Sequence, residues 1–196
     1  MSKTINILSV IDVETILQQI QNGRLKPGTM SNPTYLGAWS ASDNYIYMIT
    51  ALGFIDTDST TRAGSELRVD ARIGDTIQWE LTCPGSGLQH NAIIANVIVG
   101  DQPSPPSLTR PEERLTLRKI YEQANNGGYQ LVRQNDFVSD VLNNGITQYF
   151  VEFQIINTTG ENLGFFKWDP FVNVMSEDAY KEAKTAFLKK KEAVLA

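Results

Sequence analysis

Period-two alternation of apolar and polar side chains recurs along this chain, and it restricts the fold to a sheet architecture. In Glu66–Ala71, Leu67, Val69 and Ala71 share one face, and Glu66, Arg68 and Asp70 share the other. A turn at Gly74-Asp75 follows, and Thr76–Thr82 continues with Ile77, Trp79 and Leu81 facing alike. Gln148–Asn157 sets Tyr149, Val151, Phe153 and Ile155 against Gln148, Glu152 and Gln154. Successive strand side chains point to opposite faces, so each stretch predicts a strand with one face in a core and one in water. Thr4–Ile11 is short and β-branched, and Tyr45–Leu52 is aromatic and aliphatic. Asn91–Val99 is nearly all apolar, which predicts a strand buried on both faces. A turn at Asn157–Gly160 leads toward Gly164–Trp168. Short strands separated by Gly, Asp and Asn turns predict a mainly β fold, an antiparallel β-sandwich.

Helices are fewer. Asp12 is placed to cap a short N-terminal helix over Val13–Gln21, with Ile16, Leu17 and Ile20 as its apolar stripe and Asn22-Gly23 as its stop. The segment from Thr109 toward Ala124 carries two signals. Thr109 and Glu112 have capping-box spacing, whereas Leu115 and Leu117 alternate as on a strand, and both readings stay open. Ser176–Leu195 reads as a C-terminal amphipathic helix. Ser176 caps it, Glu177 and Asp178 suit its positive end, Lys189–Lys191 suit its negative end, and Tyr180, Ala183, Phe187 and Val194 trace one stripe. Gln102–Pro111 holds four of the eight prolines and is a loop. The expected organisation is a β-sandwich domain over 1–175, with a proline-rich loop and insertion near 101–145, and a helix over 176–196.

Composition narrows the function. Hydrophobic residues make up 41% of the 196, enough to bury the core of one domain. Lys plus Arg is 17 against 22 Asp plus Glu, a net charge of −5, so the chain lacks the basic footprint of a nucleic-acid binder. One cysteine and one histidine exclude an internal disulfide and a Cys/His zinc site. The apolar stretch Ile5–Ile11 is broken by Asn6 and Ser9 and is a poor signal peptide. No apolar run reaches the roughly 20 residues that span a bilayer, so no membrane span is expected. A cytoplasmic location is expected, and a free thiol suits a reducing compartment.

Four groups of residues carry candidate chemistry. Cys83 and His90 are the one thiol–imidazole pair, but their spacing does not bring them together. Gly85-Ser86-Gly87 lacks the remaining parts of a phosphate loop and reads as a turn. Asp56-Thr57-Asp58-Ser59 offers closely spaced oxygen ligands, so calcium is a possible cofactor at Asp56 and Asp58. This is not an EF-hand, since Thr61 and Leu67 stand where glycine and glutamate are required. Trp39 and Trp168, with Asp43, Asn44 and Asp169, could form a carbohydrate-binding platform, the rings stacking on sugar and the polar groups holding hydroxyls. Trp79 shares the phase of Ile77 and Leu81 and belongs to the core.

Taken in order, several segments resemble the PixA/AidA inclusion-body protein family of bacteria. They are Ile5–Asp12 with the helix at Thr15-Ile16, Asn32-Pro33, Asn44–Ile49, Leu67–Trp79 with its central Gly74-Asp75, Asn91–Ile94, Tyr149–Phe153, and Gly164–Pro170 with its Trp-Asp-Pro ending. The resemblance spans most of residues 4–174. It implies a small, non-enzymatic β protein accumulated in the cytoplasm, sometimes in inclusions, and it offers no catalytic residues to carry over. With only four methionines, a methionine-storage role does not fit. Gln102–Asn144 and the helix after Met175 look like additions to the family core. Exposed sandwich edges and an amphipathic helix add the expectation of a homo-oligomer.

Overall fold

A computed structural model of the chain describes residues 2–38, 40–56, 63–85, 88–121 and 128–195. The elements are β1 (Thr4–Ile11), α1 (Val13–Gln21), β2 (Thr34–Tyr35), β3 (Ile46–Ile49), β4 (Arg68–Arg72), β5 (Thr76–Thr82), β6 (His90–Val99), β7 (Glu112–Tyr121), β8 (Tyr129–Asp140), β9 (Gly145–Asn157), β10 (Asn162–Trp168), β11 (Phe171–Met175) and α2 (Glu177–Leu195). They form two facing sheets. The first has the order β3-β1-β5-β8-β7, and the second β2-β10-β9-β11-β4, with β6 also paired to β9.

The sandwich expected from the alternation is present, and the pairing inside it is mixed. β1 runs parallel to β5, β2 to β10, and β4 to β11, while the other pairs are antiparallel. Parallel neighbours need long crossovers. Here the chain between β1 and β5 supplies one, through α1, β2, β3 and β4. β10 and β11 follow one continuous register along β9, from Gly164 opposite Ile155 to Val174 opposite Gly145, interrupted at Asp169-Pro170.

The inward faces meet in one core. Ile5, Ile7, Ile77 and Trp79 of the first sheet pack toward Tyr149, Phe153, Phe166 and Trp168 of the second. Trp79 and Tyr149 lie 5.1 Å apart across the layers. Phe153 touches both Phe166 and Trp168, at 5.6 Å and 5.7 Å between ring centres. α1 begins as expected, with Asp12 Oδ1 accepting the Thr15 N–H at 3.0 Å. α2 also begins at its expected cap, with the Ala179 N–H donating to Ser176 Oγ at 3.3 Å.

The stripe of α2 lies on the sandwich. Tyr180 and Phe187 are buried, and the Tyr180 hydroxyl donates to Gly53 O at 3.0 Å. Lys184 Nζ reaches Asp70 Oδ2 at 2.9 Å and Ile55 O at 2.8 Å. Arg72 pairs with Glu177 at 3.0 Å. The side chain of Val194 lies outside the described residues.

One open reading resolves and two need correction. The segment at Glu112–Tyr121 is a strand, so alternation wins over the capping-box spacing. Thr109 works at a sheet edge instead, its Oγ1 accepting the Asp140 N–H at 2.9 Å. β6 is not buried on both faces. Among the described residues it pairs only with β9, and Ile93 and Ile98 stand exposed. The strand predicted at Tyr45–Leu52 is shorter, because Leu52–Phe54 turns into a 3-10 helix.

Candidate functional site

A wide cleft among the described residues follows from a ladder that stops early. β5 and β8 pair from Thr76 opposite Asp140 to Trp79 opposite Phe137. The next pair in that register is Glu80 opposite Asp136, two carboxylates, and like charges directly opposed on a sheet are unfavourable. There β8 leaves β5 and continues, paired among the described residues with β7 alone, as a two-stranded arm.

Arg118 of β7 occupies the fork. Its Nη2 bonds to Glu80 Oε1 and lies 3.5 Å from Asp136 Oδ2. The Gln78 amide donates to Asp136 Oδ2 at 2.8 Å. Hydrogen bonding to Glu80 outweighs the cost of burial and raises the guanidinium pKa above its ordinary value. Asp136 is fully buried, and its Oδ1 has no hydrogen-bond partner among the described residues. A cleft of about 720 Å³ opens beside this group, walled by Leu81 and Thr82 of β5, Ile93 of β6, Ile120 of β7 and Val132 and Gln134 of β8.

The arm exposes apolar side chains. On β8, Leu131 keeps the phase of Phe137, which faces the core. Leu115 and Leu117 stand on that same face, opposite Asn135 and Arg133. This face extends the core side of the first sheet past its covering layer. Leu115, Leu117 and Leu131 are 58%, 60% and 59% exposed there.

Of the residues singled out from sequence, those that are described do not line this cleft. Trp39, Asp58, Ser86 and Gly87 lie outside the described residues. Asp43 sits in the turn Ser42–Asn44, and its Oδ1 accepts the Ser65 N–H at 2.7 Å and the Ser65 hydroxyl at 2.8 Å. Asn44 donates to Ser40 O and Ala41 O, at 3.2 Å and 3.0 Å. Trp168 has no exposed ring face. It is fully buried, and its indole N–H points to Met48 Sδ at 3.3 Å. Asp169 accepts the Tyr35 hydroxyl at 2.7 Å and the Gln148 amide at 2.6 Å. Burial, then the bond to Asp169, raises the Tyr35 pKa well above that of a free phenol.

Asp56 is buried and pairs with Arg68 at 3.6 Å. Among the described residues, no group of three or more His, Cys, Asp and Glu side chains is placed to hold a metal ion. Cys83 is buried, and its thiol is directed at the backbone carbonyl of His90, 3.7 Å away. The His90 ring turns to Glu14, with Nδ1 at 3.0 Å from Oε1. Thiol and imidazole therefore do not face each other as nucleophile and base.

Among the described residues, no helix is long and apolar enough to cross a membrane. No curated protein matches the chain. Among solved structures, an inclusion body protein, PixA, from Burkholderia cenocepacia J2315 is similar with a TM-score of 0.70 at 16% identity, covering 89% of this chain and 97% of that one. This likeness establishes the fold. A cysteine protease inhibitor from Entamoeba histolytica is similar over 55% of this chain and 84% of its own, at 13% identity and a TM-score of 0.25, too low to bear on fold or function. The family model described as PixA, inclusion body protein, matches residues 3–174. The chain belongs to the PixA inclusion body protein family.

Proposed function

We propose that this protein is non-enzymatic, that it works by associating with copies of itself in the bacterial cytoplasm, and that it accumulates there in inclusions. The observation that carries this reading is the aliphatic face of the β7–β8 arm. Leu115, Leu117 and Leu131 each leave more than half of their surface to water, side by side on the core side of a sheet. Contiguous exposed apolar patches mark interaction surfaces more often than isolated exposed leucines do. The family description and the separation of Cys83 from the His90 imidazole support a role without catalysis.

The test is sedimentation velocity across a wide concentration series. The expected result is a sedimentation coefficient that rises with concentration. A single monomeric species at every concentration would overturn the reading.

A further inference from the structure

We propose that two copies of this chain pair through the edge of β7 that has no strand partner among the described residues, antiparallel about a two-fold axis at Thr116, so that Glu113 of each copy lies opposite Lys119 of the other. The proposal rests on the self-association argued above and names its surface.

The edge itself is distinctive. A sheet edge invites pairing unless it is short, bulged, covered or guarded by charges that find no partner. β2 has two residues and β3 four. β4 is bridged by Ile55, and β6 carries a register shift between Ile94 and Asn96. β7 runs for ten residues in unbroken register with β8 and ends the first sheet.

The register follows from parity and then from charge. Antiparallel ladders alternate between pairs that exchange both hydrogen bonds and pairs that exchange none, so every second residue of β7 directs its backbone groups to the free edge. Two identical strands related by a two-fold axis must match outward residues with outward residues. The axis therefore passes through a residue pair and not between residues. Centred on Leu115, Glu113 would meet Leu117. Centred on Leu117, Leu115 would meet Lys119. Centred on Thr116, Glu113 meets Lys119 and Leu115 meets Leu117, each twice by symmetry.

Leu115 and Leu117 of the two copies then stand together at the centre of the pairing, flanked within each arm by Asn135 and Arg133, with Leu131 opposite Lys119. On the other face Arg114 meets Arg118. There Glu80 and Asp136 supply two carboxylates in each copy, and Arg118 already bonds to both. Four guanidinium groups thus face four carboxylates across the axis. Glu113 is held in place by Asn135 Nδ2, 2.5 Å from its Oε1, and Lys119 lies 4.5 Å over the Tyr129 ring. Both charges stand on the exposed face as the pairing requires.

The experiment compares the wild type with E113K, K119E and the double reversal by sedimentation velocity, with circular dichroism to confirm the fold. Each single reversal sets like charges against each other and is expected to raise the dimer dissociation constant by about tenfold or more. The double reversal restores both pairs and is expected to return it to within about threefold of the wild type. A wild type that dimerises while the single reversals leave its constant unchanged overturns this pairing and leaves self-association standing. A double reversal as weak as the singles overturns the register. A wild type that is monomeric throughout removes both.

Discussion

Arg118 on β7 bonds to Glu80 and lies 3.5 Å from Asp136, at the point where β5 and β8 cease to pair. One cation thus holds two opposed carboxylates, one of them fully buried. Removing one partner of a buried charge group leaves the rest uncompensated, at a cost of several kcal/mol.

The first expectation concerns this group. Arg118→Met should destabilise the fold by about 3 kcal/mol in urea unfolding. Adding Glu80→Gln and Asp136→Asn to it should recover most of that loss, because no opposed charges then remain. A triple variant as unstable as the single would mean that Arg118 acts through packing and not through charge.

A second expectation concerns pH. Burial raises the Asp70 pKa above the ordinary carboxylate value, against the opposing pull of Lys184 at 2.9 Å. A raised pKa means that the folded chain holds this proton more tightly than the unfolded chain does. The contribution is present in full below the unfolded pKa and is lost as pH rises through the folded one. Lys184→Met leaves Asp70 more poorly compensated and should cost about 3 kcal/mol near neutral pH. The cost should shrink as pH falls toward the folded pKa of Asp70, because a protonated carboxyl needs no cation. Thermal melts of both proteins across the acidic range check this, and an equal loss at every pH would refute it.

Gly28 gives a third. A Cβ there would lie 2.4 Å from Thr34 N and 2.6 Å from Phe165 O, both backbone atoms with little room to give. Gly28→Ala should therefore cost about 2 kcal/mol by overpacking. Gly53→Ala, with nothing within 4 Å of its Cβ, is the control expected to stay near the wild-type melting temperature.

The fourth separates core from surface. Trp168 is fully buried against Phe153. Trp168→Ala should lower stability by about 4 kcal/mol, measured by denaturant unfolding. A loss below about 1 kcal/mol, in the range of surface substitutions, would place the ring outside the core.

Much of this was legible because alternation is a local code. β1, β5 and α1 fall on the segments that the sequence predicts, residue for residue. Trp168 was not legible as core: it shares the phase of Gly164 and Phe166, but the Asp169-Pro170 that follows it suggested a surface platform. Partner choice was not legible. Nothing local in Thr4–Ile11 says that β1 will lie parallel to a strand about seventy residues on. The Glu80–Asp136–Arg118 group was hidden for the same reason, because its three members meet only once the β5–β8 and β7–β8 registers are known. β6 misled because an all-apolar run looks the same at a sheet edge as at a sheet centre.

The parallel pairing of β4 with β11 has a consequence for synthesis. Arg68 is made about a hundred residues before Phe171, its partner. At ribosomal rates of about 5–20 residues per second, β4 waits some 5–20 seconds for the strand that completes it. β1 meets β5 sooner, so the first sheet has half of its order while the second is still emerging. During that interval the nascent chain leaves an apolar face without its second sheet, open to the same face on a chain emerging from a neighbouring ribosome. How crowded the ribosomes are on its message therefore bears on whether each copy closes on itself or on another.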